Sequence, residues 1–171
     1  MARGGTTVAT PEERLSKAFA LFGDELIRAL SSLLGDADDA RDVAQEAFLK
    51  CWRSRERLAD VRDLKAWLFR VGLNAARDLR RNVWRKRSRP LIDDAFPARG
   101  ESASDAAHLE ELMQRLAAAV ARLRAEEREV FVLRHQGDLT YDQIARTTRT
   151  PLGTVKTRMR SALAQLRREL A

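Results

Sequence analysis

The sequence predicts an all-α protein of two small helical domains joined by a flexible acidic linker, and three observations carry that prediction. Apolar residues recur at three- and four-residue steps along most of the chain, and strand-like alternation is hard to find. Helix-start signals stand at Thr10, Asp36, Thr140 and Thr150. Between Pro90 and Ala107 the periodicity stops and Pro, Gly, Ser and Asp accumulate. The expected organisation is a disordered N-terminus over 1–10, a first domain over 11–89, a linker over 90–107 and a second domain over 108–171.

Composition narrows the function. The 171 residues are 44% apolar, enough for a core in either domain. They carry a net charge of +7 with a sequence pI near 10.4, which points to a polyanionic partner, nucleic acid before membrane. No apolar run is long enough to span a bilayer, and Met1–Thr10 has no apolar core of a signal peptide, so the cytoplasm is the expected compartment without membrane insertion. Cys51 is the lone cysteine, and neither His108 nor His135 has a partner at ligand spacing. Without a phosphate loop, a nucleophilic triad or a carboxylate cluster, no cofactor, metal or catalytic role is expected.

Thr10-Pro11-Glu12-Glu13 reads as a capping box with proline at the first helical position. Leu15, Phe19, Phe22, Leu26, Leu30 and Leu33 continue an apolar face to Gly35, a C-terminal cap. The next helix starts at Asp36, with Asp38 and Asp39 favoured in its first turn by the helix dipole. Its core face is Ala40, Val43, Ala44, Ala47, Phe48, Cys51 and Trp52. Asp42, Gln45, Glu46 and Leu49 form the other face, an acidic and amide patch around an exposed leucine, readable as an ordinary solvated face or as a dock.

After a short connection around Arg55–Val61 comes the helix around which the first domain is organised. Leu64, Trp67, Leu68, Val71, Ala75 and Leu79 form its apolar stripe. Arg70, Asn74, Arg77, Asp78 and Arg81 lie opposite, a face suited to a phosphate backbone with bases beside it. From Arg62 to Arg89 there are ten Lys or Arg against two Asp, a local balance of +8 that exceeds the charge of the whole chain. Trp84, among cations, could stack on a base or pack against the first helix.

The linker is acidic between basic neighbours, and about eighteen extended residues could reach on the order of 60 Å, so the two domains need not touch. In the second domain Leu109, Leu112, Leu116, Ala119, Val120 and Leu123 share a face. A helix over Ala125–His135 buries Val130, Phe131 and Leu133. Thr140-Tyr141-Asp142-Gln143 opens a third helix with another capping box, Ile144 and Ala145 pointing inward, and Thr150-Pro151 opens a fourth as cap and first residue. Val155, Met159, Ala162, Leu163 and Leu166 lie inward, leaving Thr154, Thr157, Arg158, Arg160 and Ser161 outward. A short helix, a tight turn and a basic helix make the layout of a helix-turn-helix.

Three ordered segments resemble the extracytoplasmic-function sigma factors of bacterial transcription. Asp38-Asp39-Ala40-Arg41-Asp42-Val43-Ala44-Gln45-Glu46-Ala47-Phe48-Leu49-Lys50 resembles their region 2.2, and Trp67–Arg81 their W-L-x-x-x-A-x-N-x-x-x-D-x-x-R segment. Arg128–Arg134, Leu139–Ala145 and Pro151–Arg158 resemble their region 4. The resemblance implies a non-enzymatic initiation factor that binds core RNA polymerase and promoter DNA. Asp42, Gln45, Glu46 and Leu49 would meet the clamp helices of the β′ subunit. Arg70, Asn74, Arg77, Asp78, Arg80, Arg81 and Trp84 would capture the minus-ten strand, while Arg149, Thr154, Lys156, Thr157, Arg158, Arg160 and Ser161 would read the minus-thirty-five element. The β subunit is a further expected contact, and the acidic linker would thread towards the RNA path.

The chain stops right after its last helix, which gives the expectation of no fused regulatory domain and of control by a separate anti-sigma protein. Departures from the family pattern are Thr148-Arg149 where the bend usually has Leu-Gly, Ser161-Ala162-Leu163 for Arg-Ala-Arg, and Gly72 where Ala is common. A left-handed Arg149 would cost about 1 kcal/mol. The competing readings are a stand-alone helix-turn-helix regulator and a degenerate sigma-like interaction protein.

Overall fold

The computed structural model describes residues 9–86 and 105–171. Among the described residues the chain forms α1 (Pro11–Leu34), α2 (Ala37–Arg53), a 3-10 turn (Arg55–Asp60), α3 (Leu64–Lys86), α4 (Asp105–Ala121), α5 (Ala125–His135), α6 (Tyr141–Thr148) and α7 (Leu152–Leu170), with no strand. The expected linker lies outside the described residues except for 105–107, where α4 has already begun.

The capping box at Thr10 is formed in both directions, the Glu13 N–H donating to Thr10 Oγ1 and the Thr10 N–H to Glu13 Oε2. At its other end α1 stops at Gly35, which takes the left-handed conformation at φ 79°. Asp36 is the cap of α2 and accepts the N–H groups of Asp38 and Asp39 at 2.8 Å. So short a connection folds α2 back antiparallel on α1, bringing the Phe19 and Phe48 rings to 4.8 Å between centroids. Ala40, Val43, Ala44, Ala47 and Cys51 of α2 are buried as expected, together with Leu15, Leu26 and Leu30 of α1. Each such leucine contributes about 1.5–3 kcal/mol by leaving water.

Helix α3 starts on a cap that the pattern reading passed over. Asp63 accepts the Ala66 N–H on Oδ1 at 3.0 Å, and its carbonyl accepts the Trp67 N–H. The expected stripe is present, Leu68 and Ala75 fully buried and Leu64, Trp67, Val71 and Leu79 partly so. A second apolar face, Ala66, Phe69, Leu73 and Ala76, is buried as well. Helix α3 thus packs on two sides. Gly72 lies against α1, where an added Cβ would sit 2.9 Å from Leu26 Cδ1. Phe69 faces Gly137 of the second domain, where an added Cβ would sit 2.7 Å from Phe69 Cε1.

The stripe expected along α4 packs only in its C-terminal half. Leu109 and Leu112 are exposed, with Met113 beside them, whereas Ala119, Val120 and Leu123 are buried. Just past the end of α4, Arg122 pairs with Glu169 of α7 and its carbonyl accepts from Gln165. In α5, Val130, Val132 and Leu133 are buried; Phe131 is partly exposed and stacks on His135 at 4.4 Å. The Thr140–Gln143 capping box of α6 is formed in both directions.

The bend after α6 places Arg149 at φ 55°, ψ 44°, the left-handed conformation its position demands. The N–H groups of Arg149 and Thr150 both reach the Ala145 carbonyl, closing the helix end. The start of α7 differs from the expected one. Pro151 is the cap, not the first helical residue, because its ψ of 141° is extended and its carbonyl accepts the Val155 N–H. Thr150 is therefore one residue outside the helix, its hydroxyl accepting from Arg158 at 3.4 Å.

The sequence leaves the two domains free to stand apart, but the structure packs α3 against α6 and α1 against α5. The Thr147 hydroxyl donates to the Ala66 carbonyl at 3.2 Å in a buried bond. Ser32 donates to the Gln136 side chain. Apolar side chains from both domains join one continuous core.

Candidate nucleic-acid interface

Helical period sorts α2 into a core face and a free face. Asp42, Gln45, Glu46 and Leu49 are all exposed on the latter, Leu49 at 43%. The one ion pair in the patch is Glu46 with Lys50 a turn later, at 2.7 Å. An apolar side chain held in water between amide and carboxylate groups can serve as an anchor for a partner with a basic rim.

On α3 the same logic brings Asn74, Arg77, Asp78, Arg80 and Arg81 together along a cleft of about 930 Å³, closed on the far side by Ala125 and Glu129 of α5. Asn74, Asp78 and Arg81 are exposed, and Arg70, Arg77 and Arg80 half-buried. Arg81 pairs with Asp78 on its own helix. Arg77 makes a two-pronged bond across the cleft, Nε to Glu129 Oε1 at 3.0 Å and Nη2 to Oε2 at 2.5 Å. That hydrogen bonding raises the guanidinium's hold on its proton. Arg128 behaves oppositely: burial first, then the like charge of Arg80, lowers its pKa. Its Nε is buried with no partner. The side chain of Trp84 lies outside the described residues.

A smaller hollow of about 250 Å³ joins the end of α2 to α3, lined by Lys50, Ser54, Arg57, Trp67, Val71 and Asn74. Asn74 borders both cavities. Helical spacing does not reveal this hollow, since Trp67 reads as stripe and Lys50 and Arg57 as charges at element ends. The available signal was that all three lie within a helical turn of the connection facing Asn74.

On α7, Thr154, Lys156, Thr157 and Arg160 are exposed, and Arg149 is exposed at the bend. The Thr157 hydroxyl already donates to the Gly153 carbonyl of its own helix. Arg158 is half-buried against Thr150. Ser161 departs from the outward position expected of it. Its hydroxyl donates at 2.6 Å to Glu127, a carboxylate only 5% exposed that also pairs with Arg124, so Ser161 faces α5. A buried carboxylate needs such donors, and the turn of α7 that passes it supplies one.

Among the described residues no group of three or more His, Cys, Asp or Glu is placed to hold a metal, and no helix is long and apolar enough to cross a membrane. What the geometry offers is three separate faces: an exposed patch on α2 with Leu49 among acidic and amide groups, a basic cleft along α3 and an exposed basic face on α7.

Comparison with known proteins identifies the family. The chain matches Sigma-70 region 2 over residues 19–86 and Sigma-70, region 4 over residues 113–166. It is 30% identical to the ECF RNA polymerase sigma factor RpoE of Cereibacter sphaeroides over 94% of this chain and 88% of that protein. It is 34% identical to the ECF RNA polymerase sigma factor SigL of Mycobacterium tuberculosis over 79% of this chain and 76% of that one. Among solved structures it resembles CnrH in complex with the cytosolic domain of CnrY, with 28% identity and a TM-score of 0.66 over 93% of this chain and 88% of CnrH. The fold also matches the sigma factor RpoE bound to the anti-sigma factor NepR from Bartonella quintana, at 22% identity and a TM-score of 0.73 over 92% and 96% of the two chains.

Proposed function

The chain belongs to the extracytoplasmic-function sigma factors, which direct RNA polymerase to promoters and start transcription without chemistry of their own, and on that premise we propose how its faces divide the work. Residues 11–89 act as region 2 and residues 108–171 as region 4, with 90–107 as the connection through the polymerase. Asp42, Gln45, Glu46 and Leu49 dock on the clamp helices of the β′ subunit, with Leu49 as the apolar anchor. Arg70, Asn74, Arg77, Asp78, Arg80, Arg81 and Trp84 take the non-template strand of the minus-ten element. Prying bases from the stack costs a few kcal/mol, which phosphate contacts and a hydrogen-bonding pocket offset.

Thr154, Lys156, Thr157, Arg158 and Arg160 read the minus-thirty-five element with Arg149 beside them. Ser161 contributes by holding the helix on α5. A contact of region 4 with the β subunit, control by a separate anti-sigma protein and a place of action in the cytoplasm complete the reading.

The observation that supports it best is the convergence of Asn74, Arg77, Asp78, Arg80 and Arg81 on one cleft of a helix whose neighbour carries an exposed Leu49. The test is binding of the purified chain to core RNA polymerase with Q45A/L49A as control, followed by transcription from a candidate promoter. Specific binding lost in the double variant, with promoter-dependent transcripts, supports the assignment. Binding unchanged in the double variant sinks the proposed dock.

A further inference from the structure

We propose that Glu12 and Arg14, at the start of α1, are positioning residues for promoter opening. They hold the 3-10 turn that forms one wall of the hollow beside Asn74, and through it they set Arg57 against the minus-ten strand. This rests on the assignment of α3 to that strand.

The hollow of about 250 Å³ lies where the turn meets α3. Trp67, Val71 and Asn74 come from α3; Lys50, Ser54 and Arg57 come from the end of α2 and the turn. Asn74 also borders the large cleft, so a strand lying along α3 passes the mouth of the hollow. An indole, an amide and two cations around one opening suit an unstacked base and its phosphate. One wall is a long helix packed on two sides. The other is a six-residue 3-10 helix with no side-chain bond capping its start, and the poorer hydrogen-bond geometry of such a helix leaves its position to tertiary contacts.

Those contacts come from α1. Arg55, the first residue of the turn, donates from Nε to Glu12 Oε1 at 2.7 Å, donates from Nη1 to the Trp52 carbonyl at 3.1 Å and lies 5.6 Å from the centre of the Trp52 ring. Arg14 Nη1 donates at 3.1 Å to the carbonyl of Leu58, whose side chain is fully buried. Exposed Arg57 stands between these two anchors, its N–H bonded to the Ser54 carbonyl at 3.0 Å. The Thr10 and Glu13 capping box spans Glu12 and fixes the helical turn that carries it. Neither Glu12 nor Arg14 lines the hollow, so both act through the turn. The side chains of Arg55 and Glu12 are 37% and 44% exposed, and a pair so open to solvent adds little to stability. Its effect lies in where the turn sits.

The experiment uses the full chain with core RNA polymerase on a promoter from which it directs transcription, with 2-aminopurine in the minus-ten element to follow opening. A fluorescein-labelled single strand of that element and a scrambled strand of the same composition give a discrimination ratio, from which the added charge of a variant cancels. The variants are E12R, which sets a cation against Arg55; E12Q, which keeps an acceptor for it; R14M, which keeps the stem and removes the donor; and R57A. Cooperative melting and core binding are measured for each. E12R, R14M and R57A are expected to slow opening and to lower the ratio on the order of tenfold, with melting and core binding unchanged, while E12Q stays close to the parent. In the R57A background E12R should add nothing, because it acts through the same side chain. An unchanged ratio in E12R and R14M overturns the proposal, as does a loss that persists undiminished in the R57A background or one that comes with lost core binding.

An N74A chain separates the two layers. If N74A weakens binding of the minus-ten strand while E12R and R14M do not, the positioning role alone fails. If N74A binds that strand as the parent does, the α3 assignment fails and the positioning role with it.

Discussion

Asp63 and Arg146 are joined across the two domains by the same carboxylate that starts α3: Oδ1 accepts the Ala66 N–H, and Oδ2 accepts Arg146 Nη2 at 2.9 Å. One side chain therefore sets a helix end and an interdomain contact. D63A should lower stability by about 1–2 kcal/mol through the lost cap. D63N keeps the cap and loses only the pairing with a largely exposed arginine, so its effect should stay under about 1 kcal/mol. Urea unfolding of the two variants checks this. Equal losses would mean that the cap contributes nothing.

Gly137 has no room for a methyl group. An added Cβ would meet Phe69 Cε1 at 2.7 Å and the Leu133 carbonyl oxygen at 2.8 Å, and only the first of these can give way. G137A should destabilise the protein by about 1–3 kcal/mol. In the background of F69L part of that loss should return, because the two sites are in contact. A thermal-melting cycle over the four proteins measures the coupling, and strict additivity would refute it.

Arg149 holds a left-handed conformation that costs a side-chain-bearing residue roughly 1 kcal/mol or more. R149G should relieve most of it, less the added freedom of glycine in the unfolded chain, for a net gain of up to about 1 kcal/mol. R149A should show no such gain. The readout is the urea midpoint at constant slope, and a loss of stability in R149G would show that the Arg149 side chain contributes more than the backbone strain removes.

Burial pushes the Cys51 thiol up to about 12. In the unfolded chain a thiol ionises near pH 8.5, at about its ordinary value. Unfolding therefore releases a proton between those limits, and stability should fall as pH rises through that window. C51A should lack this slope, provided the small cavity it leaves is allowed for by comparing slopes and not absolute values. Alkylation at pH 8 should run at least ~100-fold slower in the folded protein than in urea; equal rates would place the thiol in reach of solvent.

Local chemistry was the legible part of this molecule. Thr10 with Glu13, Gly35, and Thr140 with Gln143 announce helix ends through groups three or four residues apart, and each forms as its residues dictate. The strain at Arg149 is likewise written in its position after a short helix. Less legible was whatever depends on partners distant in sequence. Phe69 and Leu73 interrupt the polar face of α3 in plain sight and are both buried, yet Phe69 is buried against Gly137 of the second domain, which no periodicity within α3 can supply. Leu109 and Leu112 show the converse, an apolar stripe without a packing partner among the described residues. Ser161 sits where helical spacing alone would point it outward, and only the buried Glu127 on another helix explains its inward bond.

The core shared by α3 and region 4 limits what can be exchanged between proteins of this kind. Read as sequence, the two regions are interchangeable cassettes. In the folded chain Phe69 is shaped to a residue without a side chain, and Asp63 and Ala66 to donors on α6. A chimera carrying a foreign region 4 would inherit its recognition helix but leave this surface of α3 ill-matched. Grafting promoter specificity onto this scaffold would then call for transplanting the seam along with the reader.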